Sequence, residues 1–182
     1  TGGGFGGKID LSLQHFVALG TYVTGRPVKM VWTREESFRT STKRHAFYLN
    51  YRVGATRQGR LTAAYAQIIG NTGAYASFGP AVITRSATMA LGPYDCPHVH
   101  VDAYGVYTNT QIAGAMRGFG APQMSPCHEP IMDEIGRRCG LSPIEIRRIN
   151  MLRPGSSTVT QQVLIAGVGA LETLEKVAAE MK

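Results

Sequence analysis

The chain has 182 residues, 43% of them hydrophobic and 17% charged, with a formal net charge of +7. That composition belongs to a globular protein rather than a disordered one, and no apolar run approaches the roughly 20 residues that span a bilayer. Basic residues are scattered in short pairs such as Lys43-Arg44, Arg137-Arg138 and Arg147-Arg148, which argues against nucleic acid as a partner. Cys96, Cys127 and Cys139 lack Cys-x-x-Cys spacing and read as free thiols in a reducing, cytoplasmic compartment, so no metal site is expected from this chain alone. The sequence opens inside a glycine-rich run with neither an initiator Met nor a leader pattern, and reads as a segment of something longer.

Residues 10–24 carry apolar positions near helical spacing, and Gly25 then Pro27 stop them. Residues 27–32, PVKMVW, alternate as a strand. Thr33 and Glu36 fit a capping box that starts a short helix. Residues 45–54 and 60–69 read as a hairpin with Gly59 in its turn, 71–75 as a loop, and 98–107 as another strand. Residues 108–120 form a polar, glycine-rich loop. A helix runs from about Pro122 to Cys139 and ends at Gly140. Ser142 and Glu145 make a second capping box, with Pro143 at the first helical position, for a helix reaching about Asn150. Residues 153–168 are irregular, and 170–181 read as a closing amphipathic helix. Helices and antiparallel-looking strands without a repeating βαβ unit define an α+β class. The pattern divides the chain at 152, with a main unit at 1–152 and a connecting segment plus helix at 153–182.

Two segments carry the chemistry. GGGFGGK at 2–8 is not a phosphate loop of the Walker type, because no Ser or Thr comes after Lys8. Its glycines match a dinucleotide-binding spacing by letter, but 27–32 ends in Thr33-Arg34 instead of the acid such a fold needs. Consecutive glycines let backbone approach a ligand closely and free N–H groups to donate, and a helix starting near Asp10 would turn its positive end toward an anion. A tight loop that only packs is the plainer alternative. GAMRGFGAPQ at 114–123 repeats the arrangement: glycines bracket Phe119, Arg117 precedes them, and a helix comes next. Together the two loops suit a large polyanionic cofactor.

These two loops, with TGRPVKMVWTREESF, RHAFYL, GNTGAYASFG and SPIEIRRINMLRPG, resemble the molybdopterin-binding large subunit of the xanthine dehydrogenase and aldehyde oxidoreductase family. The likeness runs through nearly the whole chain. It implies part of a molybdenum-cofactor-binding domain, with Gly4, Phe5 and Gly6 at the molybdenum centre. Met116, Arg117, Gly118 and Gln123 would lie along the pterin, with Gly120 completing that wall. Phe5, Arg85 and Phe119 would meet the substrate. Relatives often carry Phe at position 116, and Met is a softer filler. Purine-oxidising animal members place a Glu where this chain has Ile9, so the resemblance leaves aldehydes and N-heterocycles open as substrates.

The resemblance further implies hydroxylation with water-derived oxygen, molybdopterin that could be in its cytosine dinucleotide form, and [2Fe–2S] and FAD groups on partner domains or subunits. It implies a parent that is oligomeric, cytoplasmic and free of membrane. The family's base Glu sits in a G-x-G-E motif; here Gly167-Val168-Gly169 runs into Ala170, so no catalytic residue is assigned and the chain alone is expected to be inactive. A non-catalytic scaffold of the same fold and a nucleotide-binding module are the competing readings. Among the other candidates, His15 reads as packed or solvated, His98 and His100 share one strand face without a third ligand, and Glu35-Glu36 reads as a capping pair.

Overall fold

The computed structural model describes residues 2–181. In chain order the elements are α1 (Gln14–Thr24), α2 (Arg34–Thr40), β1 (Ala46–Ala55), β2 (Leu61–Gly73), α3 (Gly79–Thr88), β3 (His98–Tyr107), α4 (Ala121–Cys139), α5 (Pro143–Asn150) and α6 (Ala170–Glu180). The α+β class holds. The sheet runs β1-β2-β3, with β1 antiparallel and β3 parallel to β2. It is therefore evenly mixed rather than largely antiparallel, because α3, which the sequence pattern does not reveal, carries the chain back for one parallel crossover.

Local signals act where expected. Gly59 turns the hairpin at φ 81, and its N–H donates to the Thr56 carbonyl at 2.9 Å. Gly25 and Gly140 close α1 and α4 in the left-handed conformation. Both capping boxes form, at Thr33/Glu36 and Ser142/Glu145. Residues 27–32 depart from the expected strand: they run without ladder bonds, since alternation does not make a strand without a neighbour to pair with.

The core lies between one face of the sheet and the helices. Ala64, Ala66 and Ile68 point inward along β2, toward Met124 and Met132 of α4 and Ile146 of α5. Ile83 of α3 seats over Gly70, where any Cβ would come within 2.2 Å of its Cδ1. The buried stripe of α4, Met124, His128, Met132 and Gly136, repeats every fourth residue and persists past Pro126 and Pro130. Asn150 fastens α5 to the hairpin: its Oδ1 accepts from Leu61 N–H at 2.9 Å, and its Nδ2 donates to the Gly59 carbonyl at 2.8 Å and the Ile146 carbonyl at 2.9 Å. Arg147 ties α5 to α4 through Glu129 and Asp133, each at 2.6 Å. By contrast α1 buries no residue and leaves Phe16, Leu19 and Val23 exposed.

Candidate cofactor-loop site

The two glycine–aromatic loops touch. The N–H of Arg117 donates to the Phe5 carbonyl at 2.8 Å. Beside this bond Gly6, at φ 98, presses its backbone against the second loop; a Cβ there would lie 2.6 Å from the Ala115 carbonyl oxygen and 2.9 Å from Met116 Cα. Only glycine permits that approach.

Both loops share one distortion. Phe5 has φ 49 and Phe119 has φ 52, each flanked by glycines that are themselves at positive φ or can take it. An L-residue in this region costs about 1–2 kcal/mol, and such strain concentrates where surrounding structure fixes a functional geometry. In the first loop Gly7 N–H donates to the Gly4 carbonyl at 2.7 Å; in the second, Phe119 N–H donates to the Met116 carbonyl at 2.7 Å. The Phe119 ring stands edge-on to Phe78 with centroids 6.3 Å apart, while Phe5 remains exposed. Gly120, at φ 104, lets the second loop sit on α3, where a Cβ would approach the Val82 carbonyl and Ser86 Oγ to 2.5 Å. Several glycines thus serve close packing of backbone on backbone, as well as any ligand.

The helix ends differ from expectation at the first loop. α1 begins at Gln14, not near Asp10, and the Gln14 side chain accepts from the Ser12 and Leu13 N–H groups at 2.9 and 3.0 Å. These donors lie at and before the N-cap Leu13, and α1 itself has no side-chain cap. At the second loop α4 starts at Ala121, directly after Gly120, with no side-chain cap.

Met116, Arg117 and Gly118 are exposed, and the Arg117 guanidinium makes no hydrogen bond or ion pair among the described residues. Gln123 lies in the first turn of α4. Arg85 is exposed on α3, next to Ser86, which meets Gly120, and it too makes no ion pair among the described residues. The guanidinium groups of Arg85 and Arg117, exposed and unengaged among the described residues, are of a kind that suits an anionic ligand.

Arg44 and Asp10, to which the sequence gives no role at the loops, hold this region. Arg44 donates to the Arg117 carbonyl at 2.7 Å and to Gln123 Oε1 at 3.4 Å, bracing the second loop from below. Asp10 accepts from Ser77 Oγ at 2.9 Å. His45 is buried, at 3% exposure. Lys43-Arg44 is one basic pair among several in the sequence, and nothing local shows that the chain comes back to it at Arg117. Elsewhere, His100 bonds Asp102 at 3.1 Å and stacks on Tyr65, which also bonds Asp102, so this histidine is engaged in a surface network. His128 is buried, with Nδ1 3.2 Å from the Ala90 carbonyl and Nε2 3.4 Å from Glu129. A separate cavity of about 480 Å³ opens beside the first loop, lined by Gly7, Asp10, Phe16, Trp32 and Tyr75 among others, but by no residue of the second loop.

An α+β unit with two strained glycine–aromatic loops joined backbone to backbone defines a cofactor-binding domain. The model of the molybdopterin cofactor-binding domain matches residues 1–151, and the chain belongs to that family. It is 53% identical over 176 residues to the nicotinate dehydrogenase large molybdopterin subunit of Eubacterium barkeri, covering 97% of this chain and 41% of that protein. It is 36% identical over 177 residues to the xanthine dehydrogenase molybdenum-binding subunit of Escherichia coli O157:H7, covering 96% of this chain and 23% of that one. Among solved structures, the aldehyde oxidoreductase from Desulfovibrio gigas superposes with a TM-score of 0.92 at 28% identity, over 99% of this chain and 20% of that chain. The chain therefore spans less than half the length of these relatives.

Proposed function

We propose that this chain forms one wall of the molybdenum-cofactor site in a molybdenum hydroxylase that oxidises an N-heterocycle. The observation that carries the reading is the 2.8 Å bond from Arg117 N–H to the Phe5 carbonyl, which makes one surface of two loops far apart in sequence. On that surface Gly4, Phe5 and Gly6 would back the metal end of the cofactor. Met116, Arg117, Gly118 and Gln123 would line the pterin, with Arg117 supplying a planar cationic fork for its anionic groups. When bound, the cofactor supplies a Lewis-acidic metal and an electron sink.

The chain's own residues would position the substrate and exclude water. Phe5 and Phe119 offer ring faces to a planar substrate. Arg85, exposed and unpaired among the described residues, would orient a polar or anionic group on it. The 53% identity to a protein named for nicotinate, an anionic N-heterocycle, favours this class over simple aldehydes. Ile9 offers no hydrogen bond to a purine at its position.

The rest of the reading comes from the family. The base that deprotonates the attacking oxygen, the [2Fe–2S] clusters and FAD would come from other segments or subunits of an oligomeric, cytoplasmic enzyme. The cofactor could be in its cytosine dinucleotide form. Residues 153–182 would connect the domain to the remainder of the subunit, held to it by Arg148 and Glu175 at 2.7 Å.

The test is purification of the full-length subunit with its partners, assay of its molybdopterin and molybdenum content, and turnover of nicotinate and related heterocycles in ¹⁸O-water. Label in the product and loss of cofactor on Arg117→Ala support the reading. A wild-type protein free of molybdopterin refutes it, in favour of a scaffold role.

A further inference from the structure

We propose that Asp10 is a positioning residue for Phe119: through Ser77 it holds the turn before α3, and that turn sets Phe78 against the Phe119 ring, which fixes the slot a planar substrate enters. The slot, though not the positioning, rests on the function proposed for the loops.

Asp10 stands where the first loop ends. The N–H groups of Gly7 and Ile9 donate to the Gly4 and Gly6 carbonyls at 2.7 and 3.3 Å, so the loop is turned tightly up to the residue before it. Asp10 Oδ1 then accepts from Ser77 Oγ at 2.9 Å, across 67 positions of chain. Its other oxygen lies against the start of the second loop, where a Cβ on Gly114 would come within 2.9 Å of Oδ2. One carboxylate thus meets the turn at 75–78 and the opening of the second loop while it is bonded covalently to the end of the first.

Ser77 is exposed and has φ 41, a conformation that a non-glycine residue keeps only where its surroundings hold it. The bond from its hydroxyl to Asp10 is such a restraint. The cavity of about 480 Å³ runs alongside, lined by Gly7, Asp10, Tyr75 and Ser77 among others, so open space faces the turn on that side and packing there does not hold it.

The next residue carries the effect to the second loop. Phe78 is the N-cap of α3, and its ring stands edge-on to Phe119, with centroids 6.3 Å apart and planes at 63°. Such an edge contact sets the tilt of a ring as well as its place. Further along α3 the Val82 carbonyl and Ser86 Oγ receive Gly120 closely, and Arg85 lies between them in sequence. That contact seats the helix on the second loop. Release of Ser77 would therefore fall on Phe78 and the ring it meets, ahead of Arg85.

Crystal structures of the full-length wild-type and Asp10→Ala subunits test the positioning. The Phe78–Phe119 edge contact is expected in the wild type and displaced in the variant; unchanged rings in Asp10→Ala overturn the proposal whatever the activity. Kinetics on nicotinate test the slot. Asp10→Ala and Ser77→Gly should each lose roughly two- to tenfold in kcat/KM, the scale of one net hydrogen bond, with molybdopterin content as in wild type. A fall in molybdopterin that matches the fall in activity would make Asp10 a support of the cofactor and overturn the role. Asp10→Asn keeps an acceptor for Ser77 and should restore most of the loss; a defect equal to that of Asp10→Ala would show that charge and not the bond matters. Ser77→Gly adopts φ 41 freely and lacks the hydroxyl, so wild-type kinetics there would show that the turn needs no restraint and would also overturn the role. In a Phe119→Leu background Asp10→Ala should cost little more, since both act through one ring; additive losses would place the effect of Asp10 elsewhere. A wild-type subunit that does not turn over nicotinate would refute the functional reading alone, and the two crystal structures would still decide the positioning.

Discussion

Phe5 and Arg117 are joined carbonyl to amide at 2.8 Å, and the close pass of Gly6 over Ala115 and Met116 makes that bond attainable. Gly6→Ala should break it. The new methyl group would sit 2.6 Å from the Ala115 carbonyl oxygen at a φ of 98, so either the first loop lifts away or the second shifts. We expect a loss of stability of roughly 1–3 kcal/mol and a larger proportional loss of bound molybdopterin. Thermal unfolding and cofactor content of the full-length subunit check this. Unchanged cofactor content would show that the loops act independently.

Arg85 belongs to the substrate reading. Arg85→Leu should raise the barrier by roughly 1–3 kcal/mol, the scale of a charge-assisted hydrogen bond. The effect should fall on kcat/KM for carboxylated or otherwise polar heterocycles and spare simple aldehydes. Equal kinetics on every substrate would assign this exposed arginine to solvation of α3.

Two buried histidines give a pH dependence with a defined sign. Burial is the main cause that lowers the pKa of both His45 and His128 below the ordinary value of 6.5. At His128 the Ala90 carbonyl and Glu129 pull upward, while Arg147 pulls down with burial. A folded pKa below the unfolded one means that the unfolded chain takes up protons first. Their contribution to stability is therefore present above about pH 6.5 and is lost as pH falls toward the folded values. Denaturant midpoints of the full-length subunit between pH 7.5 and about 5 should fall, and His128→Phe should flatten the slope. A wild-type midpoint that is level or rises over that range would contradict the burial argument.

Asn150 is 2% exposed, and its amide spans three backbone partners. Asn150→Ala would strand Leu61 N–H and the Gly59 carbonyl inside the hairpin–α5 contact. A cost of roughly 1–3 kcal/mol for each buried group left unpaired is expected. Asn150→Asp keeps the acceptor for Leu61 and loses the donor to Gly59 and Ile146. Urea unfolding should rank Asn150→Ala and Asn150→Asp both well below wild type, and a midpoint equal to wild type for either would refute the bracing role.

What the sequence discloses is local. Strand β3 falls at the expected 98–107, the two capping boxes form at their expected residues, and Gly25, Gly59 and Gly140 turn the chain at the positions their flanking residues predict. Each of these depends on a few neighbouring residues. The parallel crossover does not show, because α3 opens with Gly79-Pro80 and buries only Gly79, Val82, Ile83 and Ser86, too short a stripe to stand out. The strand expected at 27–32 fails for the converse reason: its alternation is real, but a ladder needs a second strand. The paired loops are legible as motifs. The residues that support them, Arg44 and Asp10, are not, since each meets its site only through folding.

Arg44 provides the sharpest separation of loop geometry from cofactor chemistry. Its guanidinium donates to the Arg117 carbonyl at 2.7 Å and reaches Gln123 Oε1 at 3.4 Å, so one planar group holds the loop and the start of α4. Arg44 is itself exposed, and solvent will screen its charge, so little of the fold's stability should rest on it. Its effect should fall on the loop. Without it the Arg117 carbonyl loses its donor, and the strained Phe119 two residues later has one restraint fewer. Arg44→Ala should leave the thermal midpoint close to wild type and still lower molybdopterin content. Arg44→Lys should rescue only part of the loss, because a single ammonium cannot span both acceptors in the fixed geometry of a guanidinium. Cofactor content measured beside thermal unfolding in the full-length subunit checks both. If Arg44→Lys binds cofactor as wild type does, the contact is one of charge alone. If Arg44→Ala does as well, the brace on the second loop has no bearing on the cofactor.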